Sequence, residues 1–278
     1  MSPFPGLELP QLWVPHSGGH NGGGGTGSAA DFNTSQPVGP TGHTWTLSSQ
    51  ADDFNYASIA DPAFYAKWWP NRSGPDGSGG WNVDGGFNPP ATESNCYSAS
   101  QVQFGVVPSA VTFVTASNST GQQGTYPNMS GTICSIPGYN GWTTNTYVEA
   151  YMRLHSGAQL WPAFWGVVLG TYPPEFDGFE FFGGNQGYIN YHPIGGGQTG
   201  PTSYGPTTLL DTWHTWGFER ASTSDPVRIF IDGLFVGNGP IITDSLDYFI
   251  IFDLACAAGA TPAYGPLMDI GWVRPWYR

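Results

Sequence analysis

Positive charge is scarce in this chain: Lys and Arg together number 7 in 278 residues, against 20 Asp and Glu. Nucleic acid and anionic membrane surfaces both reward clustered Lys and Arg, so a net charge of −13 argues against either as a partner. A neutral or cationic ligand is easier to accommodate. Long apolar runs are missing as well, none approaching the roughly 18 to 20 residues that cross a bilayer as a helix. No stretch has the apolar periodicity of a convincing amphipathic helix. Cysteine is limited to Cys96, Cys134 and Cys256, an odd set without the short paired spacings of a zinc or thioredoxin-like site. A Cys96–Cys134 disulfide and three separate buried thiols are both open. The opening MSPFPGLELPQLWVPHSGG lacks the basic start and apolar core of a secretory signal. Either a signal was removed and Met1 added, or the protein leaves the cell by another route.

What is abundant is turn and strand chemistry. With Gly 41, Pro 25 and 15% aromatics, the chain reads as many short strands joined by tight turns. At 39% hydrophobic it can bury one large core. Residues 1–44 form a low-complexity arm, in which SGGHNGGGGTGS is a flexible linker by composition. From Trp45 to Arg278 apolar and polar residues alternate in QVQFGVVPSAVTFVTAS, TYVEAYMRLH, HTWGFER, VRIFIDGLFVG, YFIIFDLA and LMDIGWVR, with Gly, Pro, Asn and Asp between them. In VRIFIDGLFVG the Asp232-Gly233 pair marks a hairpin turn. The expectation is one all-β domain, residues 45–278, built as an antiparallel sandwich or barrel. Four Asn-x-Ser/Thr triplets, at Asn33, Asn71, Asn118 and Asn128, are of a kind that arises by chance in so Ser/Thr-rich a chain.

The chemistry concentrates in TYPPEFDGFEFFGG, which sets Glu175, Asp177 and Glu180 among Phe176, Phe179, Phe181 and Phe182. Residues two apart on a strand share a face, so Glu175 and Asp177 are neighbours, whereas strict alternation would point Glu180 the other way. A β-bulge between Asp177 and Glu180 restores the parity, and Gly178 suits the backbone conformation that a bulge can require. Three carboxylates on one face repel, which raises the pKa of at least one and provides a protonated acid beside an ionised partner. Glycoside hydrolysis requires that combination. The competing readings are an edge strand with solvated acids, or a calcium site built from the same oxygens.

EFDGFE fits the E-x-D-x-x-E pattern and resembles the catalytic strand of glycoside hydrolase family 16, in the laminarinase-like branch that carries the extra bulge residue. The surroundings agree in order: QADDFNY, TYVEAYMRL, LWPAFWGVV, DTWHTWGFER, VRIFIDGLFVG, YFIIFDLA and LMDIGWVRPW are similar to successive elements of that family, so the resemblance spans roughly Trp45 to Arg278. It implies a β-jelly roll of two curved antiparallel sheets with a cleft across the concave one. It also implies a retaining mechanism with Glu175 as nucleophile, Asp177 as its assistant and Glu180 as general acid/base, acting on a β-linked polysaccharide. Trp142, Trp161 and Trp165 become candidate sugar platforms, since pyranose C–H faces stack on aromatic rings. His192, on the strand expected beside the catalytic one, becomes a contact to sugar or to the acid/base, whereas His214 is expected to serve strand packing or a hydrogen bond in the sheet. Two positions depart from the pattern: Tyr151 stands where an Arg is usual after Glu-Ala, and Asp253 replaces a common Asn. No cofactor is called for, structural calcium being the one metal in question.

A second function class follows from the arm. Its composition predicts disorder in an isolated domain, so an ordered arm would be docked on another protein chain. A carbohydrate-active domain with an initiator Met and no signal would suit a bacteriophage virion, as a glycan-binding or structural subunit of tail or capsid. The expected location is accordingly extracellular or virion. On this reading, deleting the residues before Trp45 abolishes incorporation into the particle while the circular dichroism of the domain stays unchanged; a truncated chain that still incorporates would eliminate it.

Overall fold

The computed structural model describes residues 43–70, 93–119, 126–135, 141–157, 159–168, 172–182, 186–204, 209–258 and 262–278. The glycine-rich arm up to residue 42, with the docking expected of it, lies outside the described residues, as do Asn33 and Asn71.

The alternating segments form strands, in chain order β1 (Thr46–Leu47), β2 (Trp68–Trp69), β3 (Asn95–Tyr97), β4 (Val102–Phe104), β5 (Val111–Ser117), β6 (Asn128–Ser130), β7 (Thr132–Ser135) and β8 (Thr146–Leu154). There follow β9 (Leu160–Val167), β10 (Glu175–Phe181), β11 (Gly187–His192), β12 (Thr199–Tyr204), β13 (Trp213–Arg220), β14 (Pro226–Ile231), β15 (Leu234–Ile241), β16 (Phe249–Cys256) and β17 (Gly265–Tyr277). The α-helix present among the described residues is one turn, Pro62–Tyr65, capped by the Asp61 side chain.

Two sheets result. A ten-stranded sheet runs β15-β14-β13-β8-β17-β5-β6-β3, with β1 added on β17 and β4 on β5. A seven-stranded sheet runs β12-β11-β10-β9-β16-β7-β2. All named pairings are antiparallel except β3 with β6. Alternation gives each strand an inward apolar row, and the two rows interlock: Phe218 of the first sheet packs on Phe164 and Phe176 of the second, and Trp216 on Phe179. This is a jelly-roll sandwich: the sequence pattern led to a sandwich or barrel, and the resemblance implied the jelly roll. The Asp232-Gly233 turn has φ of 51° and 75°, the left-handed pair that a two-residue hairpin needs. Asp232 also accepts from the Thr215 amide and from His214 Nδ1, the latter at 2.7 Å, so His214 has the sheet hydrogen bond expected of it.

One expectation changes, one open alternative is decided, and the discounted Asn triplets are placed. Trp142 is no sugar platform: it is 1% exposed and lies between the sheets, 4.7 Å from Phe164 and 5.0 Å from Phe176, because its isolated bridge to Tyr248 turns the indole inward. The three cysteines are free and buried, so the disulfide alternative is not adopted. Asn118 and Asn128 are buried and hydrogen-bonded, Asn118 to the Tyr126 carbonyl and Asn128 to Ser94, which makes neither a glycan acceptor.

The bulge in β10 is present: pairing with β11 skips between Asp177 and Glu180, and pairing with β9 skips between Asp177 and Phe179. Gly178 is required there for space rather than for a left-handed backbone. A Cβ at this position would lie 2.9 Å from Phe218 Cε2 and 3.0 Å from the Phe164 carbonyl oxygen. Gly178→Ala should therefore cost about 1–3 kcal/mol, the usual range for overpacking a core. Urea unfolding of the variant would register this as a lower midpoint at an unchanged slope.

Candidate active site

The outer face of the seven-stranded sheet carries the acids. β10 supplies Glu175, Asp177 and Glu180, and its inward residues Phe176, Phe179 and Phe181 are buried in the core, so the aromatics hold the strand while the bulge turns all three carboxylates outward. On β9, beside it, Trp165 stands opposite Asp177 and Ala163 opposite Glu180. On the other side, β11 sets His192 opposite Glu175, Asn190 opposite Asp177 and Tyr188 opposite Glu180.

Each acid has a different environment. Glu180 accepts a hydrogen bond from Trp161 Nε1 at 3.1 Å. Burial, and then the charge of Glu175, push its pKa up to about 7, against the opposing pull of the Trp161 donor and His192. It is a carboxylic acid that gives up its proton only near neutrality. Asp177 is buried, and burial followed by the charges of Glu180 and Asp253 raises it well above the ordinary carboxylate range. Glu175 is partly open to solvent, and His192 Nε2 lies 3.5 Å from its Oε1 and 3.6 Å from Asp177 Oδ2. Asn190 Nδ2 is 3.1 Å from the same ring nitrogen. His192 thus joins the site, against the Glu175–Asp177 pair.

Of the tryptophans, Trp161 is half-buried beside Glu180 and packs at 4.6 Å on Phe182. Trp165 is nearly covered and donates from Nε1 to Asp253 Oδ2 at 2.9 Å, which leaves it little free face. Phe182, the last aromatic of the acidic segment, does not join the core. It is 47% exposed, past the end of β10, and with Trp161 and Tyr188 it forms an aromatic rim beside Glu180. The signal was there in its spacing of two from Glu180, which gives it the same face. Asp253 was noted only as a departure from a pattern, and its place among the acids emerges from the pairing of β16 with β9.

Glu175, Asp177 and His192 bring their ligand atoms within 4.8 Å of one another. Two carboxylates and an imidazole fall short of the six to eight oxygens of a calcium cage. The arrangement can instead pair an attacking carboxylate with a proton donor, in front of aromatic surface on which a sugar ring can stack.

No protein-family model and no curated protein matches the chain in sequence. Solved structures do resemble it. β-Agarase A from Zobellia galactanivorans superposes with a TM-score of 0.65 at 19% identity, covering 89% of this chain and 98% of the agarase. The endo-β-1,3-glucanase from Pyrococcus furiosus gives 0.61 at 19% identity, covering 84% and 94%. A non-specific endo-β-1,3(4)-glucanase of family GH16 gives 0.62 at 20% identity, covering 87% and 94%. The fold of this chain is the one these glycan hydrolases share.

The raised pKa of Glu180 carries a stability consequence with a definite sign. Its fold-imposed preference for the protonated form contributes fully below the unfolded-state pKa near 4.5 and is lost as pH rises through about 7. Glu180→Gln, which cannot ionise, should melt close to the wild type at pH 4.5 and roughly 3–6 °C above it at pH 8. Calorimetric melting across that range checks this, and an equal Tm at pH 8 would refute the buried-charge account.

Proposed function

We propose that this chain is a retaining endo-glycosidase that hydrolyses a β-linked polysaccharide. The observation that carries the reading is the division of labour among three outward carboxylates: Glu180, pushed up to about 7, holds its proton to near neutrality, while Glu175, partly open to solvent, faces His192. In the proposed sequence Glu175 attacks the anomeric carbon as Glu180 protonates the departing glycosidic oxygen. Glu180, now ionised, then takes a proton from water as that water displaces Glu175 from the sugar. Asp177 lies between them along the strand, where it can orient Glu175 by hydrogen bonding. Trp161 and the rim formed with Phe182 offer stacking surface next to the leaving-group side.

The names of the similar structures, endo-β-1,3-glucanases and β-agarases, suggest which polymers to try first. A polymeric substrate would put the work outside the producing cell, or on a virion that meets a host surface. A subunit that binds glycan without cutting it would use the same face, so the test must separate the two.

Reducing-end release would be followed on β-1,3-glucan, mixed-linkage glucan, agar, carrageenan, galactan and host-wall polysaccharide, for the wild type, Glu175→Gln and Glu180→Gln. The expected result is release by the wild type from at least one polymer, reduced roughly 10²–10⁴-fold in each variant with the fold intact. Proton NMR of the first product should show the anomeric configuration retained. Absence of release from every polymer, with glycan binding unchanged in both variants, would replace hydrolysis by a binding role.

A further inference from the structure

Four carboxylates, rather than three, share the outer face of the seven-stranded sheet. β16 pairs with β9 so that Asp253 stands opposite Ala163, and β9 pairs with β10 so that Ala163 stands opposite Glu180. Asp253, Ala163 and Glu180 thus form one row across three strands, which at about 4.8 Å per strand puts the two acids' backbones about 10 Å apart. Only a methyl group stands between them. Two residues along β9, Trp165 lies opposite Asp177 on one side and Ile251 on the other, and its indole donates to Asp253 Oδ2. Asp253 is 4% exposed, so water screens its charge weakly.

We propose that Asp253 is a positioning residue of this active site: its carboxylate anchors the Trp165 indole beside Asp177 and stands as a fixed negative charge across Ala163 from Glu180. The proposal rests on the hydrolytic reading above. Its two parts separate chemically. Anchoring needs only an acceptor, which the amide oxygen of Asn also supplies, whereas the charge needs a carboxylate. Asp253 adds to the upward push on Glu180 and on Asp177, after burial and the acids' own repulsion. The other titratable groups set toward Glu180 are Glu175 and Asp177 on its own strand, Tyr188 and His192 on β11, and Tyr204 from β12. Of these, Asp177 also responds to Asp253, so its protonation shifts together with that of Glu180 in the Asp253 variants.

The experiment compares wild type, Asp253→Asn and Asp253→Ala by the pH dependence of kcat/KM on a polymer that the wild type degrades. In parallel, the Glu180 carboxyl is titrated by NMR in protein carrying ¹³C-labelled glutamate, its signal assigned with Glu180→Gln. Asp253→Asn should move the alkaline limb and the Glu180 titration down by roughly half to one pH unit, with KM within about twofold of wild type. Asp253→Ala should show the same shift and a KM raised roughly fivefold or more, since Trp165 loses its acceptor. Wild-type pH behaviour in Asp253→Asn overturns the proposal whatever Asp253→Ala does, and the near-isosteric Asn variant serves alone if the Ala variant fails to fold. A wild type inactive on every polymer would defeat the hydrolytic reading, and the NMR titration would still decide whether Asp253 sets the protonation of Glu180.

Discussion

Side chains on a β-strand alternate between faces, and the site depends on one local breach of that rule. Glu175, Asp177 and Glu180 cannot share a face of a regular strand, and Phe176, Phe179 and Phe181 cannot all share the opposite one. The extra residue at Gly178 reconciles both sets at once: acids outward, rings inward. Because Gly178 also lies against Phe218 of the facing sheet, the packing of the two sheets and the geometry of the site are the same constraint. The register of β10 against β9 and β11 then places Trp165, Ala163, His192 and Asn190 around the acids.

Electrostatics completes the arrangement by withholding cations. Each described Lys or Arg lies within 4.0 Å of a carboxylate other than Glu175, Asp177 and Glu180: Lys67 with Asp52, Arg153 with Asp269, Arg220 with Asp244, Arg228 and Arg278 with Glu219, and Arg274 with Glu149. Around Glu175, Asp177 and Glu180, His192 is the basic group among the described residues. Repulsion among the acids therefore goes largely uncompensated, and a carboxyl such as Glu180 can stay protonated near neutral pH. The scarcity of Lys and Arg, which first argued against nucleic acid, becomes at this scale a means of tuning acidity.

Much of this was legible from the sequence. Period-two alternation located most of the longer strands, the Asp-Gly pair marked the β14–β15 turn, and parity counting called for the bulge once the three acids were taken to share a face. The tryptophans were less legible. Trp142, Trp161 and Trp165 look alike in sequence, yet Trp142 is turned inward by a two-residue bridge to Tyr248, a long-range pairing that no local pattern encodes. Asp253 escaped for a related reason, since its nearness to Glu180 is created by β16 pairing with β9 across roughly ninety residues of chain. The role of Gly178 was anticipated for the wrong reason: a bulge suggested an unusual backbone, whereas the ring of Phe218 is what excludes a side chain.

The position of β17 bears on how such a molecule is made. Gly265–Tyr277 lies in the middle of the ten-stranded sheet, paired with β8 on one side and with β5 on the other, and holding β1 at its end. During synthesis, β5 and β8 leave the ribosome long before the strand that joins them, with their facing edges unsatisfied. The sheet cannot close around its core until that later segment arrives, so the nascent chain must wait, collapsed or chaperoned, for the strand that bridges the two.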